Sequence, residues 1–112
     1  MIMNKDLIES AVKTAFINAV VAGKAKFEEV GERDSCGFAW IIIRPARGPL
    51  VSYLKKHGIG RNQDGGGYSI WMPGRQPTQS ISVHEEAAKA FAETIREILG
   101  SDLKIDWQSR LD

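Results

Sequence analysis

The residues of this chain with the plainest chemical grouping are cationic. Between Arg44 and His84 stand Arg44, Arg47, Lys55, Lys56, Arg61 and Arg75 against a single acid, Asp64, a local surplus of five positive charges. The rest of the chain holds nine basic and thirteen acidic residues, and the overall charge is only +1. Global charge therefore selects no partner, whereas segregated charge of this kind steers an anionic one. Tyr53, Tyr68 and Trp71 fall in the same stretch. Aromatic rings beside cations suit nucleic acid, because stacking a base on a ring contributes about 1–3 kcal/mol. The ordinary alternative is that Lys55 and Lys56 complement the C-terminus of their own helix and that the arginines are simply solvated. The expected ligand-binding set is Arg44, Arg47, Lys55, Lys56, Arg61, Tyr68, Trp71 and Arg75.

Other constellations are weaker. Gly58 to Gly67 is rich in glycine, and glycines let main-chain N–H groups converge on an anion. The segment has no Gly-Lys-Ser/Thr ending and opens no helix, so it is not a Walker A loop. It also lacks the third glycine of a dinucleotide fingerprint. It reads first as a plain flexible connection, the alternative being a mobile loop whose Arg61 touches a ligand. The single cysteine, Cys36, forms no internal disulfide, which fits a reducing compartment. Cys36 with His57 or His84 is the one imaginable nucleophile and base, but their spacing does not establish contact, and cysteine is also a common small core residue. One cysteine and two separated histidines make no zinc pattern, and the scattered acids form no EF-hand-like cluster. No catalytic residue, metal ligand or cofactor is assigned.

The elements that must position these residues follow from period and punctuation. Composition is near the globular average, with 43% hydrophobic and 26% charged residues in 112, the size of one domain, 1–112. No uncharged stretch approaches the roughly 20 apolar residues that span a bilayer, and the N-terminus lacks the form of a signal peptide. Leu7, Ile8, Ala11, Val12, Ala15, Phe16, Ala19 and Val20 recur at helical spacing and predict a helix from Lys5 to about Glu29. Asn4 is its expected N-cap, and Gly23 its weak point. Phe38–Ile43 reads as a central strand with both faces apolar, Trp40 in the core, and Arg44-Pro45 as its stop. Pro49 opens a short helix that Gly58 closes. Tyr68–Met72 is a second strand. Ser82 with Glu85 forms a capping box for a helix that carries Val83, Ala87, Ala88, Phe91, Ile95, Ile98 and Leu99 inward and ends at Gly100. Leu103–Trp107 alternates as a third strand, followed by a polar tail from Gln108 to Asp112. The expected fold is α+β, or α/β, in the order α-β-α-β-α-β: a three-stranded sheet with about three helices and strand directions open.

Cys36-Gly-Phe-Ala-Trp40, Arg44-Pro-Ala-Arg-Gly48, the Gly66-Gly-Tyr68 step, the alanine-rich helix from Ala87 to Glu93 and the closing Ser-Arg-Leu-Asp112 resemble a family of small proteins encoded in phages and prophages. The resemblance covers most of the chain after residue 36. It implies the cytoplasm of a phage-infected bacterium as the setting and an ordered, packed tail, and it implies no chemistry. The function expected from these features is a non-enzymatic binding module whose basic and aromatic surface engages nucleic acid or an acidic host or phage protein, with no membrane contact. Two other functions compete. One is a small enzyme using Cys36 or the Gly58–Gly67 loop. The other is a virion or assembly component that hides apolar surface by self-association.

Overall fold

In the computed structural model, which describes residues 4–112, a 26-residue helix α1 spans Lys5–Val30. The Asn4 side chain caps it, accepting from the Leu7 amide at 2.8 Å. The helix runs through Gly23 without a break. Gly23 is buried, and a Cβ there would lie 3.2 Å from Gln76 and 3.5 Å from Ala87. Its glycine is therefore a point of close approach rather than a stop. A 3-10 turn at Gly31–Arg33 leads to strand β1, Gly37–Ile43. Arg44-Pro45 is a cis peptide. Helix α2, Pro49–Lys56, starts with proline at its first turn. Its chain reverses at Gly58 (φ +68), where the Ile59 amide bonds back to the Leu54 carbonyl at 2.9 Å.

The sheet has four strands, not the three expected, in the order β2-β3-β1-β4. Two-residue β2, Arg61–Asn62, lies inside the glycine-rich segment and pairs with β3, Tyr68–Trp71. Two residues carry no periodicity, so nothing in the sequence marks them as strand. The tail is strand too: β4 covers Ile105–Leu111, beyond the expected end at Trp107. Every pairing is antiparallel, and β1 is central, between β3 and β4.

Helix α3 spans Ile81–Leu99, and its cap is Ser80 rather than Ser82. The Ser80 hydroxyl accepts from the Val83 amide and donates to the Asp34 carboxylate at 2.6 Å. The same carboxylate accepts from the Ser82 amide at 2.7 Å. Asp34 thus closes the first turn of α3 from another part of the chain. Glu85, which a capping box would turn back to Ser82, accepts from the Ser109 hydroxyl at 2.6 Å and ties α3 to β4. Helix α3 lies against β1 and β4, and α1 lies against α3. Phe16 and Phe91 meet edge to face with centroids 4.9 Å apart, and Asn18 donates to the Thr94 hydroxyl at 3.0 Å.

The core follows strand alternation. Ala39, Ile41 and Ile43 of β1, Tyr68 and Ile70 of β3 and Ile105 of β4 join Ala87, Ala88, Phe91 and Ile95 of α3 in one buried cluster. Phe38, Trp40 and Ile42 must then point to the opposite face of the sheet. Among the described residues no helix is long and apolar enough to cross a membrane.

Candidate functional site

The second face of the sheet is built from the alternate positions of all four strands. Register sets Trp40 directly opposite Trp71, Phe38 opposite Arg110, Ile42 opposite both Ser69 and Asp106, and Ser69 opposite Arg61. Directly opposed residues share a face. Trp40 and Trp71 are stacked, with centroids 5.4 Å apart and planes 18° apart. Phe38 lies 5.4 Å from Trp71 with the planes tilted by 34°, and the Arg110 guanidinium sits 5.7 Å over the Phe38 ring. Trp71 remains 48% exposed, and Trp40 is half-buried. Trp40 therefore stands on an open aromatic face, not in the core, because Ala39 and Ile41 already occupy the inward positions.

A cleft of about 350 Å³ opens beside the tryptophans. Trp40, Trp71, Arg61 and Arg110 line it with Asn62, Gln63, Asp64 and Ser69, and none of the three helices contributes to the lining. Around the edge of β3 a second cleft of about 310 Å³ is shared by Arg61, Trp71, Arg75 and Phe16. Arg75 is placed there by a turn whose flanking residues both have left-handed backbone, Met72 (φ +43) and Arg75 (φ +54). Its guanidinium lies 4.8 Å over the Phe16 ring. Such conformations in non-glycine residues cost roughly 1–3 kcal/mol each and persist where the surroundings hold them.

The expected site residues divide accordingly. Arg61, Trp71 and Arg75 are brought together. Arg44 follows Ile42 on the same face; its side-chain stem passes 3.4 Å from where a Cβ on Gly67 would lie, at the far end of β1. Arg47, Lys55 and Lys56 are exposed in and before α2 and line neither cleft, and Lys55 reaches the Tyr68 ring at 5.9 Å. Tyr68 is turned inward. It is buried, and its hydroxyl donates to the Ile59 carbonyl. Burial also pushes its pKa up. Tyr68 offers no ring to a ligand because Ser69 and Trp71 take the outward positions of β3. Three side chains escaped sequence reasoning: Phe38, Trp40 and Arg110. The alternation of aromatic 38 and 40 with aliphatic 39 and 41 was the available signal.

The remaining candidates are placed as follows. The glycine segment is the turn of the β2–β3 hairpin, with the Gln63 amide bonded to the Gly67 carbonyl at 2.9 Å and the Gly66 amide to the Gln63 carbonyl at 3.1 Å. These amides serve the turn instead of converging on an anion. Cys36 is exposed and its thiol donates to Gln79 Oε1 at 3.3 Å. His84 is buried with Nε2 against the Thr78 carbonyl at 2.8 Å, and its Nδ1 has no hydrogen-bond partner. His57 packs on Tyr53, centroids 4.2 Å apart. The Asp34 carboxyl is held at about 2 by the Ser80 hydroxyl first and by Ser82 next. Among the described residues no three His, Cys, Asp or Glu side chains are grouped as a metal site requires.

Fold and site together define an α+β protein with helices on one face of an antiparallel sheet and aromatic rings between arginines on the other. No family model, curated protein or solved structure matches the chain.

Proposed function

We propose that this chain binds single-stranded nucleic acid on the helix-free face of its sheet. The observation that supports the reading is the stacked Trp40–Trp71 pair, partly exposed and set between Arg61 and Arg110. Flat rings left in water on a sheet are platforms for bases, since every base has a π-face. Arginines at the rim bind phosphates and stack on bases themselves. A duplex keeps its bases stacked on each other, so a ring platform selects the single strand. In this reading Asp64, which lines the same cleft, accepts from a base amino group. An acidic protein would employ the arginines and leave the rings without a role, which favours nucleic acid of the two expected partners. The roles follow from position: Trp71 and Trp40 stack bases, while Arg61, Arg110 and Arg75 hold the backbone. The resemblance to phage and prophage proteins suggests the interior of an infected bacterium as its place of action.

Fluorescence anisotropy with labelled single- and double-stranded DNA and RNA, between about 50 and 200 mM salt, tests the proposal. The expected result is a single-strand preference whose log K falls with log salt by about 0.7 per phosphate contact. Absence of binding at the low-salt end overturns it. Equal binding of duplex and single strand removes the stacking role and leaves only charge.

A further inference from the structure

Strand β4 is an outer strand of the sheet, and its seven residues pair with β1 on one side only. Two main-chain bonds set its phase. The Asp112 amide donates to the Cys36 carbonyl and the Arg44 amide to the Lys104 carbonyl, each at 3.0 Å. Even-numbered residues from 104 to 112 therefore turn their main-chain groups to β1, and the odd-numbered ones turn theirs outward. Arg96 of α3 covers the outward carbonyl of Ile105. The main-chain groups of Trp107, Ser109 and Leu111 face away from the sheet. An edge of this length is a template for another strand, and proteins commonly guard such edges with charge.

The charges on this edge have a particular order. Positions 106, 108 and 110 of β4 alternate onto the helix-free face, and with 104 and 112, which flank the strand at the same spacing, they read Lys, Asp, Gln, Arg, Asp. Laid antiparallel on its own copy about Gln108, the strand sets Lys104 opposite Asp112, Asp106 opposite Arg110, and Gln108 opposite its twin. Among these five positions every charge then meets the opposite sign. Sliding the pair by two residues one way sets Lys104 against Arg110, and the other way sets Asp106 against Asp112. Like charges directly opposite each other destabilise a strand pair, so of these three registers the one centred on Gln108 alone is free of repulsion. The same register places outward-facing Trp107 opposite outward-facing Ser109, as hydrogen bonding requires. It also brings Leu111, 67% exposed, to the strand end at Ile105 of the other copy. Asp106 is exposed and already held at the edge by Arg96, 3.7 Å away.

We propose that β4 pairs with β4 of a second copy, antiparallel and centred on Gln108, so that two four-stranded sheets become one. The contact is closed and two-fold, the same patch on both copies. Its charge order disfavours registers shifted by two residues while admitting its own copy in the centred one.

Sedimentation velocity of the full chain tests this without any ligand. The expected mass is near twice 12.4 kDa at the higher concentrations. Asp106→Arg and Arg110→Asp each set like charges opposite one another, and either alone weakens self-association at least about tenfold. Both side chains are exposed, and circular dichroism verifies that each variant is folded. Mixing the two variants restores a dimer, since each altered position then faces its opposite, and the Asp106→Arg, Arg110→Asp double variant dimerises by itself. A wild-type monomer up to about 1 mM overturns the proposal. So does a dimer that ignores the single reversals, or a mixture that stays monomeric.

Discussion

Replacing Trp71 by alanine isolates the stacking role of the open face. The ring lies 5.4 Å from both Trp40 and Phe38 and is 48% exposed, so about half of it already faces water. Loss of two aromatic pairs, at about 0.5–1.5 kcal/mol each, lowers stability by about 1–3 kcal/mol. A small domain with roughly 5–15 kcal/mol of stability remains folded. The ligand loses more in proportion. One base platform at about 1–3 kcal/mol corresponds to an affinity about 5- to 150-fold weaker. Anisotropy with a labelled oligothymidylate at fixed salt measures this, with urea unfolding of the same preparation to report stability. Trp71→Phe keeps a flat ring and retains most of the affinity. Arg47→Ala, at an exposed position before α2 that lines neither cleft, changes it less than about twofold. The salt slope of Trp71→Ala equals that of the wild type, since no phosphate contact is removed. A folded Trp71→Ala that binds as tightly as wild type refutes the stacking assignment.

Arg61→Ala removes one phosphate contact, and the slope of log K on log salt falls by about 0.7, read from a salt titration. Asp34 binds its proton at about 2 in the folded chain against an ordinary 3.8, so the unfolded chain takes the proton first. Its contribution is complete above about pH 4 and is lost as pH falls toward about 2. Thermal melts should show that loss in the wild type and a flatter profile over the same window in Asp34→Asn. Phe91→Ala, fully buried against Phe16, costs about 3–5 kcal/mol in urea unfolding. Gly60 has φ +78, and a Cβ there would press on the Ser69 carbonyl and stand 2.7 Å from the Tyr68 ring. Gly60→Ala therefore costs at least about 1–3 kcal/mol and also weakens oligonucleotide binding, because Arg61 is the next residue.

The helices were legible because period and punctuation agree along long spans. Asn4 with a four-turn apolar stripe, and Gly48-Pro49 before Leu50 and Val51, leave few alternatives. Where local rules compete, the sequence misleads. Ser80 and Ser82 are both competent caps, and Ser82 also has a glutamate three residues on. The choice is made by Asp34, forty-six residues before Ser80, which accepts from both serines and so fixes where the helix starts. Glu85 is then free for Ser109. The polar look of residues 108–112 suggested a tail for a similar reason. A half-exposed edge strand shows polar residues to water while its main chain pairs with β1.

The site was less legible, and the cause is geometric. Counting charge and aromatic rings along the chain grouped eight residues, but a sheet and its helices divide any contiguous segment between two faces. Lys55 and Tyr68 meet on the core side, while Arg61 and Trp71 face out. The residue that completes the open face, Arg110, lies seventy-two positions from Phe38 and reaches it only through strand register. By sequence Trp40 belongs to the core, because a strand apolar on both faces is ordinarily covered on both. In β1 the two apolar sets differ in kind. The inward one is aliphatic and close-packed, Ala39, Ile41 and Ile43; the outward one includes two aromatic rings beside arginines. Aliphatic groups in water give a ligand only area, whereas rings also give it a stacking geometry and a face for cations. That difference in side-chain type, rather than the amount of apolar surface, separates an uncovered core from a binding platform.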